Sequence, residues 1–121
     1  MTVQEFYERI GGGYEEAMGQ LRKEERIAKY VGMFLRDDAF ATLKQGMESG
    51  DMELAFRGAH TLKGVTANLA FQKLRRLSSD LTEDLRNGRD IEHAKLAYPE
   101  VAACYEEVIQ AITEFKESQN S

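Results

Sequence analysis

Apolar residues recur at spacings of three and four along most of this chain, which is the period of one buried face of an α-helix. The clearest run consists of Leu74, Leu77, Leu81 and Leu85. Glycine-containing breaks at residues 11–13, 49–51 and 87–88 separate such runs, and no stretch alternates with the period of two that is typical of a strand. The pattern predicts an all-α protein, an antiparallel up-down four-helix bundle with short additional N-terminal helices.

We interpret the 121 residues as a single domain with three parts. Residues 1–36 contain short helices that are expected to cap one end of the bundle. Residues 37–117 contain the bundle helices, predicted at about 38–49, 52–69, 71–86 and 91–116. Pro99 either kinks the last of these helices or begins a new one. Residues 118–121 are expected to form a frayed tail.

Composition and charge exclude several classes of protein. The formal net charge of −5 argues against a nucleic-acid binder that relies on a basic surface. The single cysteine, Cys104, cannot form an internal disulfide and fits a reducing compartment. No apolar run approaches the roughly 20 residues of a membrane span, and the first residues lack the basic segment of a signal peptide. We therefore expect a cytoplasmic protein that binds neither nucleic acid nor membrane.

One histidine, His60, stands out because of the side of its helix on which it lies. At about 100° per residue, the apolar stripe of the helix at 52–69 points away from His60. The residues within roughly 60° of His60 are Phe56, Lys63, Gly64 and Ala67. A glycine inside a helix costs about 1 kcal/mol relative to alanine, so Gly64 needs a reason. Lys63 would place positive charge near an anion bound to the ring, which favours an imidazole that another protein must reach.

Other interpretations of the two histidines are open at this point. His60 could be a surface residue without a function, although Gly64 one turn later makes this less attractive. His93 follows a glycine break near a helix start, and the sequence contains no Cys/His cluster and no His-Glu-x-x-His spacing. We therefore expect no metal site.

The stretch His60-Thr61-Leu62-Lys63-Gly64 resembles the core motif of histidine-containing phosphotransfer (HPt) domains. That family is marked by His-x-Leu-Lys-Gly, usually after an alanine, followed by small residues and a leucine before a second helix. Here Ala59 precedes the motif, Ala67-Asn68-Leu69 follows it, and the local resemblance covers residues 54–88. The chain departs from the family at Ala70, where many members have glycine. The resemblance implies a helical layout that fits nearly the whole chain.

The resemblance also implies a site. Its residues would be His60 as the phosphorylated residue, Lys63, Gly64 and Ala67 as its support, and Phe56 and Arg57 as the docking surface for the partner. In this family a polar side chain of the neighbouring helix often orients the second nitrogen of the ring. Thr82 or Ser78 would take that part here.

The partners implied by the resemblance are the receiver domain of a response regulator, a hybrid sensor histidine kinase, or both. The resemblance favours a monomer, and a chain with no other domain fits a free-standing phosphocarrier. We expect a carrier and not an enzyme, because nothing in the chain resembles a nucleotide-binding domain. No cofactor is expected in this chain. The Mg²⁺ that phosphoryl transfer needs would lie in the acidic pocket of the receiver.

Two other functions are compatible with the residues. The chain could be a helical adaptor that binds a receiver domain or another signalling partner without carrying phosphate, and such binding would tolerate the loss of His60. It could also be a phosphatase-like module for a receiver. Such modules usually need an acidic or amide side chain beside the active residue, where this chain has Lys63 and Gly64. We therefore prefer the phosphocarrier interpretation.

Overall fold

The structure, a computed structural model, describes residues 1–119. These residues form seven α-helices and two short 3₁₀ helices, without a strand, which confirms the predicted all-α class. No helix in this range combines the length and the apolar character needed to cross a membrane. The 3₁₀ helices are Phe34–Arg36 and Arg86–Gly88. The α-helices are α1 (Val3–Ile10), α2 (Tyr14–Leu21), α3 (Glu24–Met33), α4 (Ala39–Ser49), α5 (Met52–Asn68), α6 (Gln72–Leu85) and α7 (Ile91–Gln119).

Helices α4 to α7 form the predicted antiparallel four-helix bundle, in which each helix packs against the next one along the chain. Short connections join them, and only Gly50 and Asp51 lie between α4 and α5. Phe40 of α4 stacks on Tyr105 of α7, with 4.0 Å between the ring centroids, and this contact joins the first and last helices of the bundle. In the bundle, α5 therefore packs against α4 and α6 and keeps one exposed side.

The N-terminal helices pack over the end of the bundle where α5 turns into α6. Phe6 and Tyr7 of α1 are fully buried there. The Tyr7 hydroxyl donates a hydrogen bond to the Leu69 carbonyl oxygen (2.8 Å), and burial raises the pKa of this hydroxyl. The Gly13 N–H donates to the Ala70 carbonyl oxygen (3.0 Å). These bonds tie the N-terminal segment to the end of the helix that carries His60.

The turn between α5 and α6 is sharp although it lacks glycine. Ala70 adopts a left-handed backbone conformation, with a φ of +58°, which favours glycine. Its N–H donates to the Ala67 carbonyl oxygen (3.2 Å), and the Phe71 N–H donates to the Thr66 carbonyl oxygen (2.9 Å). Glycine is therefore not required at this turn, because the surrounding hydrogen bonds hold the alanine in place.

The C-terminal part of the chain decides between the two alternatives for Pro99 and differs from the prediction in where its helix ends. Helix α7 continues through Pro99, so this part of the chain forms one helix and not two. It extends to Gln119, and the frayed tail predicted from residue 118 onward is wrong for Ser118 and Gln119. The Gln119 side chain donates a hydrogen bond to the Met1 carbonyl oxygen (3.0 Å), which links this last turn to the start of the chain. Residues 120 and 121 lie outside the described residues.

Candidate functional site

His60 lies on the outward side of α5. The helix begins after Asp51, whose side chain accepts a hydrogen bond from the Leu54 N–H (3.0 Å) and so caps the N-terminus. Ala59 and Leu62 are fully buried, whereas His60 between them is exposed. The orientation predicted from the helical period is confirmed, and solvent or a partner protein can reach the imidazole.

The His60 ring stacks on the ring of Phe56, one turn earlier in the same helix. The ring planes are 12° apart and the centroids 5.8 Å apart, which is an offset stacked arrangement. Among residues 1–119, the one hydrogen bond to a histidine ring is at His93. Both nitrogens of the His60 ring are therefore free of protein hydrogen bonds within the described chain.

The expectation that Thr82 or Ser78 orients the His60 ring is wrong. Both side chains are fully buried in α6, whereas His60 is exposed. The Thr82 hydroxyl donates a hydrogen bond to the Ser78 carbonyl oxygen (2.6 Å), which is a common bond for a threonine inside a helix. The Ser78 hydroxyl has no hydrogen-bond partner within residues 1–119. Neither hydroxyl bonds to the ring.

Lys63 lies one turn after His60 and is half-buried. It takes no part in the ion pairs of residues 1–119. Its charge acts on Glu83 of α6. The pKa of the Glu83 carboxyl is lowered, first because Arg86 donates hydrogen bonds to it, with Nη2 at 3.0 Å, then by the charges of Arg86 and Arg89, and least by that of Lys63. The Lys63 ammonium is therefore available to a negative charge on His60.

Gly64 and Ala67 leave open space on the surface beside His60, because neither has a long side chain. A Cβ added at Gly64 would meet no described atom within 4 Å, so internal packing does not explain this glycine. Ala67 is half-buried, and its carbonyl oxygen lies 3.4 Å from the side-chain nitrogen of Gln20 in α2. The open space at Gly64, bounded by α2 near Ala67, can be filled by a docked protein.

Residues 29–114 match the family model described as the Hpt domain. The chain belongs to the Hpt domain family. The match covers more than half of this Hpt domain protein and includes all of α4, α5 and α6, and therefore His60 and Lys63. Helices α1 and α2 precede the matched part. No curated protein and no solved structure gives a significant match to the chain.

The two residues expected to dock a partner of the Hpt domain have different surroundings. Arg57 is exposed and takes no part in the ion pairs of residues 1–119. Phe56 is half-buried. Its ring stacks on the ring of His60, and the guanidinium carbon of Arg86 lies 5.1 Å from its ring centroid. From the sequence, Arg86 is a mainly solvated charge that could border the docking surface. Its ion pair with Glu83 could have been predicted, because charges three residues apart pair on a helix.

An apolar groove lies between α3 and α5 of the Hpt domain. Tyr30 and Met33 of α3 and Val65 and Asn68 of α5 line it. Tyr30 is 39% exposed and Met33 is 52% exposed, which is high for large apolar side chains. Asn68 lies about 12 Å along α5 from His60, and Val65 lies on the apolar side of this helix, so the groove is separate from the surface around His60.

His93 belongs to a separate ion pair. Its Nδ1 lies 2.5 Å from a carboxylate oxygen of Asp84. The pKa of His93 is raised, first by this hydrogen bond and then by the negative charges of Asp84, Asp90 and Asp80. Within residues 1–119, no three His, Cys, Asp or Glu side chains are grouped in a way that could hold a metal ion.

We expect the His93–Asp84 pair to make the stability of the Hpt domain depend on pH. Because the folded pKa of His93 lies above the unfolded value of about 6.5, the pair stabilises the fold fully below that pH. The stabilisation is lost as the pH rises through the folded pKa. The His93 side chain is 60% exposed, so the effect is small.

Urea unfolding of the wild type and of His93→Gln over a pH series measures this effect. The difference in free energy of unfolding between the two proteins should be largest near about pH 5 to 6 and should shrink as the pH rises further. A difference that stays constant or grows with pH would show that the ion pair contributes nothing.

Proposed function

We propose that this Hpt domain is a phosphocarrier that relays a phosphoryl group between receiver domains through phosphohistidine at His60. Membership of the Hpt family implies a phosphotransfer role in two-component signalling. The observation that supports the relay through His60 is the exposure of this ring beside Lys63 and Gly64, with both nitrogens free of hydrogen bonds from residues 1–119. A nucleophile that must meet an aspartyl phosphate in another protein needs this accessibility.

The transfer exchanges one bond to phosphorus for another. A nitrogen of the neutral His60 ring, which we assign as Nε2 from the family resemblance, attacks the phosphorus of an aspartyl phosphate on the receiver. The N–P bond forms while the P–O bond to the aspartate breaks, and the aspartate leaves as a carboxylate. The ring keeps its proton on the other nitrogen. The same steps in reverse pass the group to a second receiver.

Lys63 offsets the negative charge that the phosphoryl group brings. A phosphoryl group carries between about one and a half and two negative charges near neutral pH, and a nearby ammonium stabilises it. In the unmodified protein Lys63 takes no part in the ion pairs of residues 1–119. Gly64 leaves room for the receiver, and Arg57 is free to meet its acidic surface.

Hpt domains interact with receiver domains and kinases in phosphorelays. For this chain we propose a response-regulator receiver, a hybrid sensor kinase, or both as partners. The protein would act as a monomer in the cytoplasm and without a cofactor of its own. The Mg²⁺ that supports transfer would be bound by the receiver. The chain is a phosphate carrier and not a kinase.

Incubation with a phosphorylated receiver domain tests this proposal. We expect labelled phosphate to move to the Hpt domain and to show the stability of phosphohistidine, labile in acid and stable in alkali. Binding of several receivers without any transfer of label would favour the adaptor function. Release of inorganic phosphate without a labelled intermediate would favour the phosphatase-like function.

The side chain at residue 64 should control transfer more than folding. Gly64→Gln places a long side chain where no described atom lies within 4 Å, so the fold accommodates it. The same side chain would occupy the space that the receiver needs, and we expect transfer to slow at least about ten-fold. Rates of transfer and urea unfolding, measured on the same protein with Gly64→Ala as the smaller control, separate the two effects. Transfer at the wild-type rate would refute the steric role of Gly64.

A further inference from the structure

We propose that Phe56 is a positioning residue that orients the His60 ring for phosphoryl transfer, and that Arg86 in turn holds Phe56. This inference rests on the proposed phosphocarrier function. It assigns to Phe56 a part in the reaction itself, in addition to any contact with the partner. It also gives the ring an orienting contact that the buried hydroxyls of Thr82 and Ser78 do not supply.

The contact between Phe56 and His60 suits this part. Residues four apart lie one above the other on a helix, and their rings here are 12° from parallel with centroids 5.8 Å apart. Within residues 1–119 the His60 ring has no hydrogen bond that could fix its rotation. Stacking against Phe56 is therefore the directional contact that restricts the ring.

The stack leaves the reacting atoms accessible. An aromatic ring stacks through its face, whereas both imidazole nitrogens lie on the edge of the ring with their lone pair or proton in the ring plane. A hydrogen bond to one nitrogen would fix which nitrogen can attack. Stacking fixes the plane of the ring and leaves either nitrogen open to the phosphorus.

Arg86, which directly follows α6, connects the stacked rings to that helix. Its guanidinium carbon lies 5.1 Å from the centroid of the Phe56 ring, within the range of a cation–π contact. Glu83 holds the guanidinium by accepting hydrogen bonds from Nε (3.3 Å) and Nη2 (3.0 Å). The orientation of the His60 ring on α5 is thus connected, through Phe56 and Arg86, to a carboxylate on α6.

A small phosphoryl donor distinguishes a role of Phe56 in positioning the His60 ring from a role in docking the partner protein. Phosphoramidate transfers its phosphoryl group to an imidazole nitrogen with loss of ammonia, and it has no surface to dock on Phe56. We expect Phe56→Leu, which keeps apolar volume but removes the ring, to slow labelling by phosphoramidate about ten-fold. Phe56→Tyr keeps the ring and should stay within about two-fold of the wild type.

A matched pair of arginines tests the second part of the inference. Arg89 also forms an ion pair with Glu83, at 3.7 Å, but makes no cation–π contact with Phe56 among the described residues. We expect Arg86→Gln to slow labelling about three-fold and Arg89→Gln to leave it unchanged. Equal effects of the two substitutions would overturn the role of Arg86.

The proton NMR spectrum supplies a readout that does not need the reaction. The chain has two histidines, so the ring signals of His60 are identified as those missing from His60→Gln. Phe56→Leu and Arg86→Gln should shift these signals, because the ring current of Phe56 is lost or displaced. Unshifted signals, or a wild-type rate of phosphoramidate labelling in Phe56→Leu, would overturn the inference. A wild type that takes no label from receivers or phosphoramidate would instead refute the proposed function, and the NMR shifts would still decide the stacking.

Discussion

His60→Gln is expected to abolish labelling of the Hpt domain by a phosphorylated receiver while leaving its fold intact. The glutamine amide has no basic nitrogen that can attack phosphorus, so the loss should be complete within detection. The ring makes no hydrogen bond within residues 1–119 and is exposed, so the fold loses only the stack with Phe56. We expect the midpoint of thermal unfolding to change by no more than about 4 °C.

The second histidine provides the control for this result. His93→Gln changes the same residue type at an exposed position outside the candidate site and should leave labelling unchanged. Circular dichroism of both variants shows whether the helical fold persists. Acid-labile label retained on His60→Gln, or lost from His93→Gln, would show that His60 is not the phosphorylated residue.

The second large effect is expected from two glycine-to-alanine substitutions that change the free energy of unfolding in opposite directions. A Cβ at Gly58 would lie 2.3 Å from the Leu43 backbone nitrogen and 3.0 Å from the Ala39 carbonyl oxygen, both in α4. Backbone atoms cannot yield as a flexible side chain can, so Gly58→Ala should push α4 and α5 apart and destabilise the fold by about 2–3 kcal/mol. At Gly64 the space is open, and Gly64→Ala should stabilise the helix by up to about 1 kcal/mol.

Urea unfolding of the two alanine variants and the wild type gives the three free energies directly. The midpoint for Gly58→Ala should fall, and that for Gly64→Ala should rise. A midpoint for Gly58→Ala at or above that of the wild type would contradict the close approach of α4 and α5 at Gly58. This comparison also separates a glycine that the fold requires from one that the fold does not.

The side of the helix on which each residue lies could be predicted from the sequence because it depends only on the local helical period. His60 is exposed and Leu62 is buried, as the period of 3.6 predicts. The glycine breaks also predicted the helix ends well, since Gly11 and Gly50 adopt the left-handed conformation that ends α1 and α4.

Contacts between helices could not be predicted in this way. The position of Arg86 near Phe56 depends on how α6 lies against α5, and residues 30 positions apart leave no periodic signal. The same holds for Gly58, which is required because the backbone of α4 lies too close to leave room for a Cβ. The partner of Thr82 cannot be predicted either, because a helical threonine can bond to the backbone of its own helix or to a neighbouring helix, and spacing does not distinguish the two.

Onward transfer of phosphate tests the phosphocarrier function most directly. The Hpt domain is labelled from one phosphorylated receiver, purified, and mixed with a second receiver that carries no phosphate. We predict that the label leaves His60 and appears on the aspartate of the second receiver, with His60→Gln giving no labelled protein to begin with. Label that never accumulates on the Hpt domain, or that leaves it only as inorganic phosphate, would contradict the account.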